Sequence, residues 1–298
     1  MGLATAARPY VIRSMRACTA SRLPYTLKQR YITALSQTLA ATNEPTVSEY
    51  GTRFLPGTNL NMLLEYRGVY EPVLSEFIRR QIRPGDVCVD AGANVGYFSL
   101  LLAQQVGPTG KVIAIEAGPR TVERLRANIA LNNANVTVVE AAITSQKGQI
   151  TFHLHPQHDA WNRITPPDED DPDSLYMGQE WIPVTINGDT LPSIVGDDID
   201  RVSFIKLDIE GAESTVTPDI TTFPHPDLVV ALEAKSPHIA ETLKPFQDDN
   251  FYVYDLHNDY RWLYERTVPV ITQTTYSDLV SHSMVDVLVS RRPLAVSA

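Results

Sequence analysis

The chain has 298 residues, enough for one full-sized domain with an extension or for a domain and a small partner. A hydrophobic fraction of 43% and a mean hydropathy of −0.14 allow a sizeable core, and no apolar run approaches the roughly 18 residues of a membrane span, so none is expected. The net charge of −10 is uneven: residues 1–43 hold Arg8, Arg13, Arg16, Arg22, Lys28 and Arg30 with no acid, which leaves 19 bases against 35 acids, or −16, in the rest.

The basic, Ser/Ala/Thr-rich start fits a helical arm docking on an acidic body, and its composition also fits a transit segment. Residues 1–65 are therefore read as an N-terminal helical arm of a cytoplasmic protein, with an organellar address as the alternative. Apolar spacing over 25–42 (Leu27, Tyr31, Leu35, Leu39) predicts a helix with that stripe against the body. A mixed stretch with a Pro56-Gly57 turn follows, then a helix over Glu71–Arg80 and the turn Arg83-Pro84-Gly85-Asp86.

From there strand and helix patterns alternate. Val- and Ile-rich runs lie at Val87–Asp90, Lys111–Glu116, Val136–Ile143, Val202–Asp208, Leu228–Glu233, Phe251–Leu256 and Met284–Ser290. Helical patterns lie between most of them, at Tyr97–Gln105, Thr121–Asn132, Ala212–Ile220 and His238–Asp248. Strands apolar on both faces and separated by helices predict an α/β fold with a doubly wound, mostly parallel, seven-stranded sheet over 66–298. The last two runs lack a helix between them and predict an antiparallel pair at one edge. Cys88 lies in an apolar run and Cys18 in the arm, so no disulfide framework is expected.

Residues 144–200 break the rhythm, with a hairpin at Gln149–Leu154, the acidic run Asp168–Asp173 and a short strand at Ile182–Ile186. An insertion between the third and fourth strands falls at the carboxyl edge, where open α/β sheets bind ligands, so it is the candidate substrate cover. The acidic run reads as a solvated loop. His153, His155 and His158 read as surface histidines, since zinc needs a further ligand and no cysteine is near.

The first of these strands runs through Asp90 into Gly92-Ala93-Asn94-Val95-Gly96, with a helix directly after. Glycines so placed let backbone approach a ligand where a side chain would collide, beside unpaired helix N–H groups. A second acid, Glu116, closes the next strand, 26 residues after Asp90, where a carboxylate accepts hydrogen bonds from both ribose hydroxyls. Two glycines four apart behind an acid, rather than Gly-x-Gly-x-x-Gly, favour a mononucleoside such as S-adenosylmethionine, whose ammonium calls for a carboxylate rather than a pyrophosphate cradle.

Val89–Ser99 resembles the first motif of the FkbM family of methyltransferases, and so does Ile205-Lys206-Leu207-Asp208-Ile209-Glu210-Gly211-Ala212-Glu213, the distinctive block. Gly68–Pro72 and Ala130–Asn133 fit the order, and coverage runs from about 66 to 236. One departure is Glu116-Ala117-Gly118-Pro119, where members often have Glu-Pro. The resemblance implies the class I methyltransferase, Rossmann-like fold, S-adenosylmethionine as cofactor, and O-methylation of a saccharide, glycolipid or other natural-product hydroxyl. N-methylation of a peptide or protein and a non-catalytic methyltransferase-like scaffold subunit are the alternatives. The turn, the second acid and the resemblance together assign Glu71, Asp90, Gly92, Asn94, Gly96, Tyr97, Glu116, Ala117, Ala141 and Asp208 to the cofactor.

Methyl transfer also requires an aligned nucleophile and a proton acceptor. Lys206, Asp208 and Glu210 alternate at the end of the fourth strand and are the catalytic candidates. Lys206 is either a structural ion pair or a positioning residue, and Glu210 is a general base or a metal ligand. Glu213, in the first turn of the next helix, reads as a dipole-stabilised carboxylate. Glu233 and His257 are expected at the same edge, so Asp208, Glu233 and His257 are the alternative holders of a divalent ion such as Mg²⁺. The expected partner is a small-molecule or saccharide acceptor, with homo-oligomerisation left open. The acidic body argues against nucleic acid, because phosphate calls for a positive field.

Overall fold

The computed structural model describes residues 3–37, 44–155, 161–165, 180–258, 260–265 and 270–295. Helices α1 (Leu3–Ala20) and α2 (Tyr25–Ser36) open the chain, followed by a ribbon of β1 (Thr46–Val47) with β2 (Arg53–Phe54) and by α3 (Asn59–Arg67) and α4 (Pro72–Gln81). Alternation then begins with β3 (Val87–Ala91), α5 (Tyr97–Val106), β4 (Lys111–Glu116), α6 (Pro119–Asn132) and β5 (Val136–Glu140). Next come β6 (Ala142–Ile143), β7 (Gly148–Leu154), β8 (Ile182–Asp189), α7 (Leu191–Val195), β9 (Val202–Leu207) and α8 (Glu213–Thr221). The chain finishes with β10 (Val229–Lys235), α9 (Ile239–Asp248), β11 (Tyr252–Asp255), β12 (Thr272–Gln273), α10 (Tyr276–Leu279) and β13 (Met284–Ser290).

The described residues form an eight-stranded central sheet in the order β12-β11-β13-β10-β9-β3-β4-β5. β5, β4, β3, β9 and β10 run parallel, and β13 lies antiparallel to both β10 and β11. The fold is the α/β, mostly parallel sheet expected, with two differences. The antiparallel strand β13 is inserted between β10 and β11 rather than closing an edge, and the two-residue β12, too short to show a period, makes an eighth strand. The run Val136–Ile143 also divides at Ala141: β5 stays in the central sheet, while β6 pairs with β8 in a separate three-stranded sheet with β7. β7 and β8 are the two strands expected in the insertion. His158 and the acidic run lie outside the described residues.

β3 shows how the layers are built. Val87, Val89 and Ala91 face the core formed with Val216, Ile220 and Phe246, whereas Cys88 faces Phe98, Leu101 and Phe77 on the other side. Both faces are dry, which is why the strand reads as an unbroken apolar run. β3 is also where the connections diverge: the chain moves outward through β4 and β5, then returns to β9 on the opposite side. The crevice beyond the ends of β3 and β9 is the topological switch point.

The arm docks differently from its predicted stripe. Leu27 and Tyr31 are 50% and 44% exposed, while Lys28 and Ile32 are buried. Leu39 lies outside the described residues. The face is chosen by α1, whose Ile12, Met15 and Cys18 form a small core with Ile32 and Tyr66. Arg8 pairs with Glu65 at 2.8 Å, and Lys28 faces Glu265 at 3.6 Å. The expected boundary at 65/66 falls inside α3. No helix of the described residues is long and apolar enough to cross a membrane.

Candidate active site

The first half of the site is the turn after β3. Gly92 takes a left-handed φ of 79°, and a Cβ there would lie 1.7 Å from the Asp208 carbonyl oxygen, so the ends of β3 and β9 approach this closely only with glycine. The Gly92 and Ala93 N–H groups donate to the Ile115 carbonyl at 3.0 and 2.9 Å, tying the turn to β4. Gly96, at φ 92°, starts α5, and a Cβ there would press on Leu125 at 2.6 Å.

Two buried acids flank this turn. Asp90 is 1% exposed; its Oδ2 accepts from Ser99 Oγ at 2.5 Å, and its Oδ1 has no partner among the described residues. Burial raises its pKa against the opposing pull of Lys206. Glu116 accepts from the N–H groups of Asn94 (2.8 Å), Ala117 (3.0 Å) and Gly118 (2.8 Å), and burial still lifts it to about 6. A cavity of about 280 Å³ opens beside them. Of the residues predicted for the cofactor, Gly92, Asn94, Tyr97, Glu116, Ala117, Ala141 and Asp208 line it. Asp90 and Gly96 shape it from behind the lining.

Glu71 is the exception. It caps α4 at a left-handed φ of 40° and lines a second, adjoining cavity of about 360 Å³. Burial first, and the Asp208 charge after it, push Glu71 up to about 7 despite Lys206. The same cavity is lined by Glu233, Lys235, Tyr260, Asp286 and Trp161, while Tyr70, Lys206, Asp208 and Glu210 line both cavities. The three catalytic candidates therefore stand at the junction.

Their electrostatics are set by two lysines. Lys206 is 5% exposed, donates to Asp208 at 3.0 Å and sits 5.3 Å from the centre of the Phe98 ring. Burial disfavours its charge, but Asp208, Asp90 and Glu71 outweigh that and raise its pKa. Burial likewise lifts Asp208, and Lys206 overrides it, leaving the carboxylate below its ordinary value. Lys235 bridges Glu210 at 3.1 Å and Glu233 at 2.8 Å. Glu210, at φ 54°, also meets Arg163 at 3.5 Å. Burial and the Asp208 charge raise Glu210 to about 8, against the pull of Lys235. Burial also lifts Glu233 and carries Asp286 well above the carboxylate range. Glu213 accepts from Ile209 N (3.0 Å) and Gly211 N (2.9 Å), so it clamps the loop that presents Glu210.

The metal alternative does not assemble. His257 turns out of the cavity, with Nε2 on Thr272 Oγ1 at 2.6 Å and Nδ1 3.4 Å from Asp255. Lys206 and Lys235 occupy the place of a cation beside Asp208 and Glu233, and among the described residues no group of three or more His, Cys, Asp or Glu is placed to hold a metal ion. His153 and His155 are not superficial either. His155 is 4% exposed between the rings of Trp161 and Trp181, each 5.0 Å away, and His153 Nδ1 is 2.9 Å from the Ile164 carbonyl.

Several lining residues stand outside the sequence-based expectations. Asp286 sits opposite Glu233 in the β10–β13 register, a pairing visible only once β13 is known to be inserted there. Lys235 lies two residues after Glu233 on one strand, so alternation alone places both on one face. Trp161 and Asn162 belong to a stretch without period.

The Methyltransferase FkbM domain matches residues 90–259, more than half of the chain. The chain belongs to the FkbM methyltransferase family. Methyltransferase 1 of Beauveria bassiana is 27% identical over 140 residues, covering 43% of this FkbM chain and 55% of that protein. Methyltransferase sdnD of Sordaria araneosa is 27% identical over 150 residues, covering 43% and 58%. The FkbM chain thus matches a little over half the length of these curated relatives. Among solved structures, a SAM-dependent O-methyltransferase from Thermotoga maritima is 16% identical, with 83% of this chain and 77% of that one covered at a TM-score of 0.41.

Proposed function

We propose that the chain is an S-adenosylmethionine-dependent O-methyltransferase acting on a hydroxyl of a saccharide, glycolipid or other natural product. The observation that carries this reading is the meeting of two cavities at Glu210, a half-buried carboxylate beside Asp208 that lines both and whose pKa of about 8 lets it take up a proton near neutral pH. Bound S-adenosylmethionine supplies an electrophilic methyl group on its sulfonium sulfur.

The cavity beside the glycine turn fits that cofactor. Asp90 Oδ1, without a partner among the described residues, is a buried acceptor beside the turn, and the absent Cβ at Gly92 brings backbone to the cavity wall. Glu116, held by three backbone N–H groups, is oriented to accept from the ribose hydroxyls. Asn94, Gly96, Tyr97, Ala117 and Ala141 complete the cradle, while Glu71 belongs to the acceptor cavity.

In the acceptor cavity, Glu71, Glu233 and Asp286 accept hydrogen bonds from hydroxyls. Glu210 Oε removes the acceptor proton, Lys235 and Arg163 hold that carboxylate in place, and Lys206 fixes Asp208 at the junction. The test is twofold: calorimetric titration with S-adenosylmethionine or S-adenosylhomocysteine, and transfer of labelled methyl to a panel of sugars and hydroxylated natural products. No heat and no thermal shift at millimolar cofactor refutes the enzyme and leaves a scaffold. One observation favours a second reading: the acids of the acceptor cavity outnumber its two lysines, an arrangement that also suits an amine. Label transferred only to amines decides for N-methylation.

A further inference from the structure

We propose that Asn162, in the insertion, is a cofactor-binding residue whose side-chain amide donates a hydrogen bond to a ring nitrogen of adenine. The inference rests on the S-adenosylmethionine reading and adds to it a contact from outside the glycine turn and the strand ends.

Asn162 is 8% exposed and lines the cavity beside Glu116. Its Oδ1 accepts from His155 N at 2.8 Å, which fixes the orientation of the amide: a flipped group would set NH₂ against N–H. The backbone beneath is held as well, since His153 N donates to Arg163 O at 2.8 Å and Arg163 N to His153 O at 3.1 Å. The remaining donor, Nδ2, is buried and has no partner among the described residues. An unpaired buried amide costs free energy, and such a group in a rigid setting is a place where a ligand atom belongs.

The surroundings say which atom. A Cβ on Gly118 would lie 2.9 Å from Nδ2 and 3.2 Å from Glu116 Oε1, so Nδ2 stands over the backbone that follows the ribose-binding acid. The same cavity is lined by the apolar side chains of Ala117, Ala141, Ile143, Phe152 and Ile164, a lining suited to a flat heteroaromatic base. A base stacked there presents ring nitrogens, which accept, and an exocyclic amine, which donates. Nδ2 has only hydrogens to give, so its partner is a ring nitrogen.

The experiment is calorimetric titration of S-adenosylhomocysteine, and of its 1-, 3- and 7-deaza analogues, into the full chain and into Asn162→Asp. The aspartate keeps the acceptor for His155 N and removes the donor. S-adenosylhomocysteine should bind the variant about three- to tenfold more weakly, the scale of one neutral hydrogen bond. One deaza analogue should show a similar loss on the unaltered chain and no further loss on the variant. Should Asn162→Asp melt more than a few degrees early, Asn162→Ala serves in its place. Unchanged affinity in the folded variant overturns the proposal, as does a loss of equal size for all analogues, the mark of a structural role. If the unaltered chain binds no S-adenosylhomocysteine, the cofactor reading itself falls; binding by the unaltered chain with an indifferent variant removes Asn162 alone.

Discussion

Replacing Glu210 by Gln keeps the shape and hydrogen bonding of the side chain and removes the proton acceptor at the junction. Lys235 retains Glu233 at 2.8 Å, so the local ion pair survives. Because a pKa of about 8 leaves roughly one Glu210 in ten ionised at pH 7, turnover by the native chain should rise nearly tenfold per pH unit below that value and level off above it. Glu210→Gln should lower kcat by about 10²- to 10⁴-fold and abolish that rise, with cofactor affinity unchanged. Stability should move the other way. A carboxyl whose folded pKa is raised contributes stability that is complete below its unfolded value, near 4.5, and is lost as pH climbs through about 8. The variant, with nothing to ionise, should melt higher than the native chain at pH 9 and much closer to it at pH 4. Single-turnover methyl transfer across pH 6–9 and thermal melts at the two extremes make the measurement. A variant that keeps more than a tenth of native turnover, or the same pH slope, would refute the base assignment.

Other perturbations have equally definite outcomes. Glu116→Ala should weaken S-adenosylhomocysteine binding by about 1.5–3 kcal/mol by calorimetry, the range for hydrogen bonds to a charged group. With the native side chain, affinity should fall as pH drops below about 6, where the carboxylate protonates. Removing residues 1–37 exposes Tyr66 and the end of α3, so the melting temperature or the solubility should drop while cofactor affinity holds; an unchanged melt would make the arm a tail. EDTA should leave activity intact, because Lys206 and Lys235 supply the positive charge at the junction; loss on chelation with rescue by Mg²⁺ would reverse that conclusion.

What the sequence announced was local. β3, β4 and β9 are dry on both faces, so composition alone marks them, and the glycine turn carries its own punctuation. Features set by distant packing were not legible. The α2 stripe Leu27, Tyr31, Leu35 is as periodic as Lys28, Ile32, Leu35, and only α1, with Met15 against Ile32, selects between them. β13 looks like an edge strand until its pairing with β10 is known, and that pairing carries Asp286 to Glu233. His257 failed for a similar reason: the short β12 supplies Thr272, which draws the imidazole away. The turn and strand ends beside the first cavity therefore read from short stretches of sequence, whereas the second cavity gathers side chains from α4, β9, β10, β13 and the insertion.

The stretch Trp161–Ile164 is pinned to β7 by the bridge between Arg163 and His153, and its residues face different spaces: Trp161 lines the cavity of about 360 Å³, Asn162 and Ile164 line the cavity beside the glycine turn, and Arg163 reaches Glu210. Four consecutive residues share one backbone, so on the proposed reading any shift that one ligand imposes on it is carried to the other cavity. The two affinities are then thermodynamically linked. Whatever factor the nucleoside adds to acceptor binding, the acceptor returns to nucleoside binding, and the same factor measures how strongly the insertion couples the two halves of the reaction.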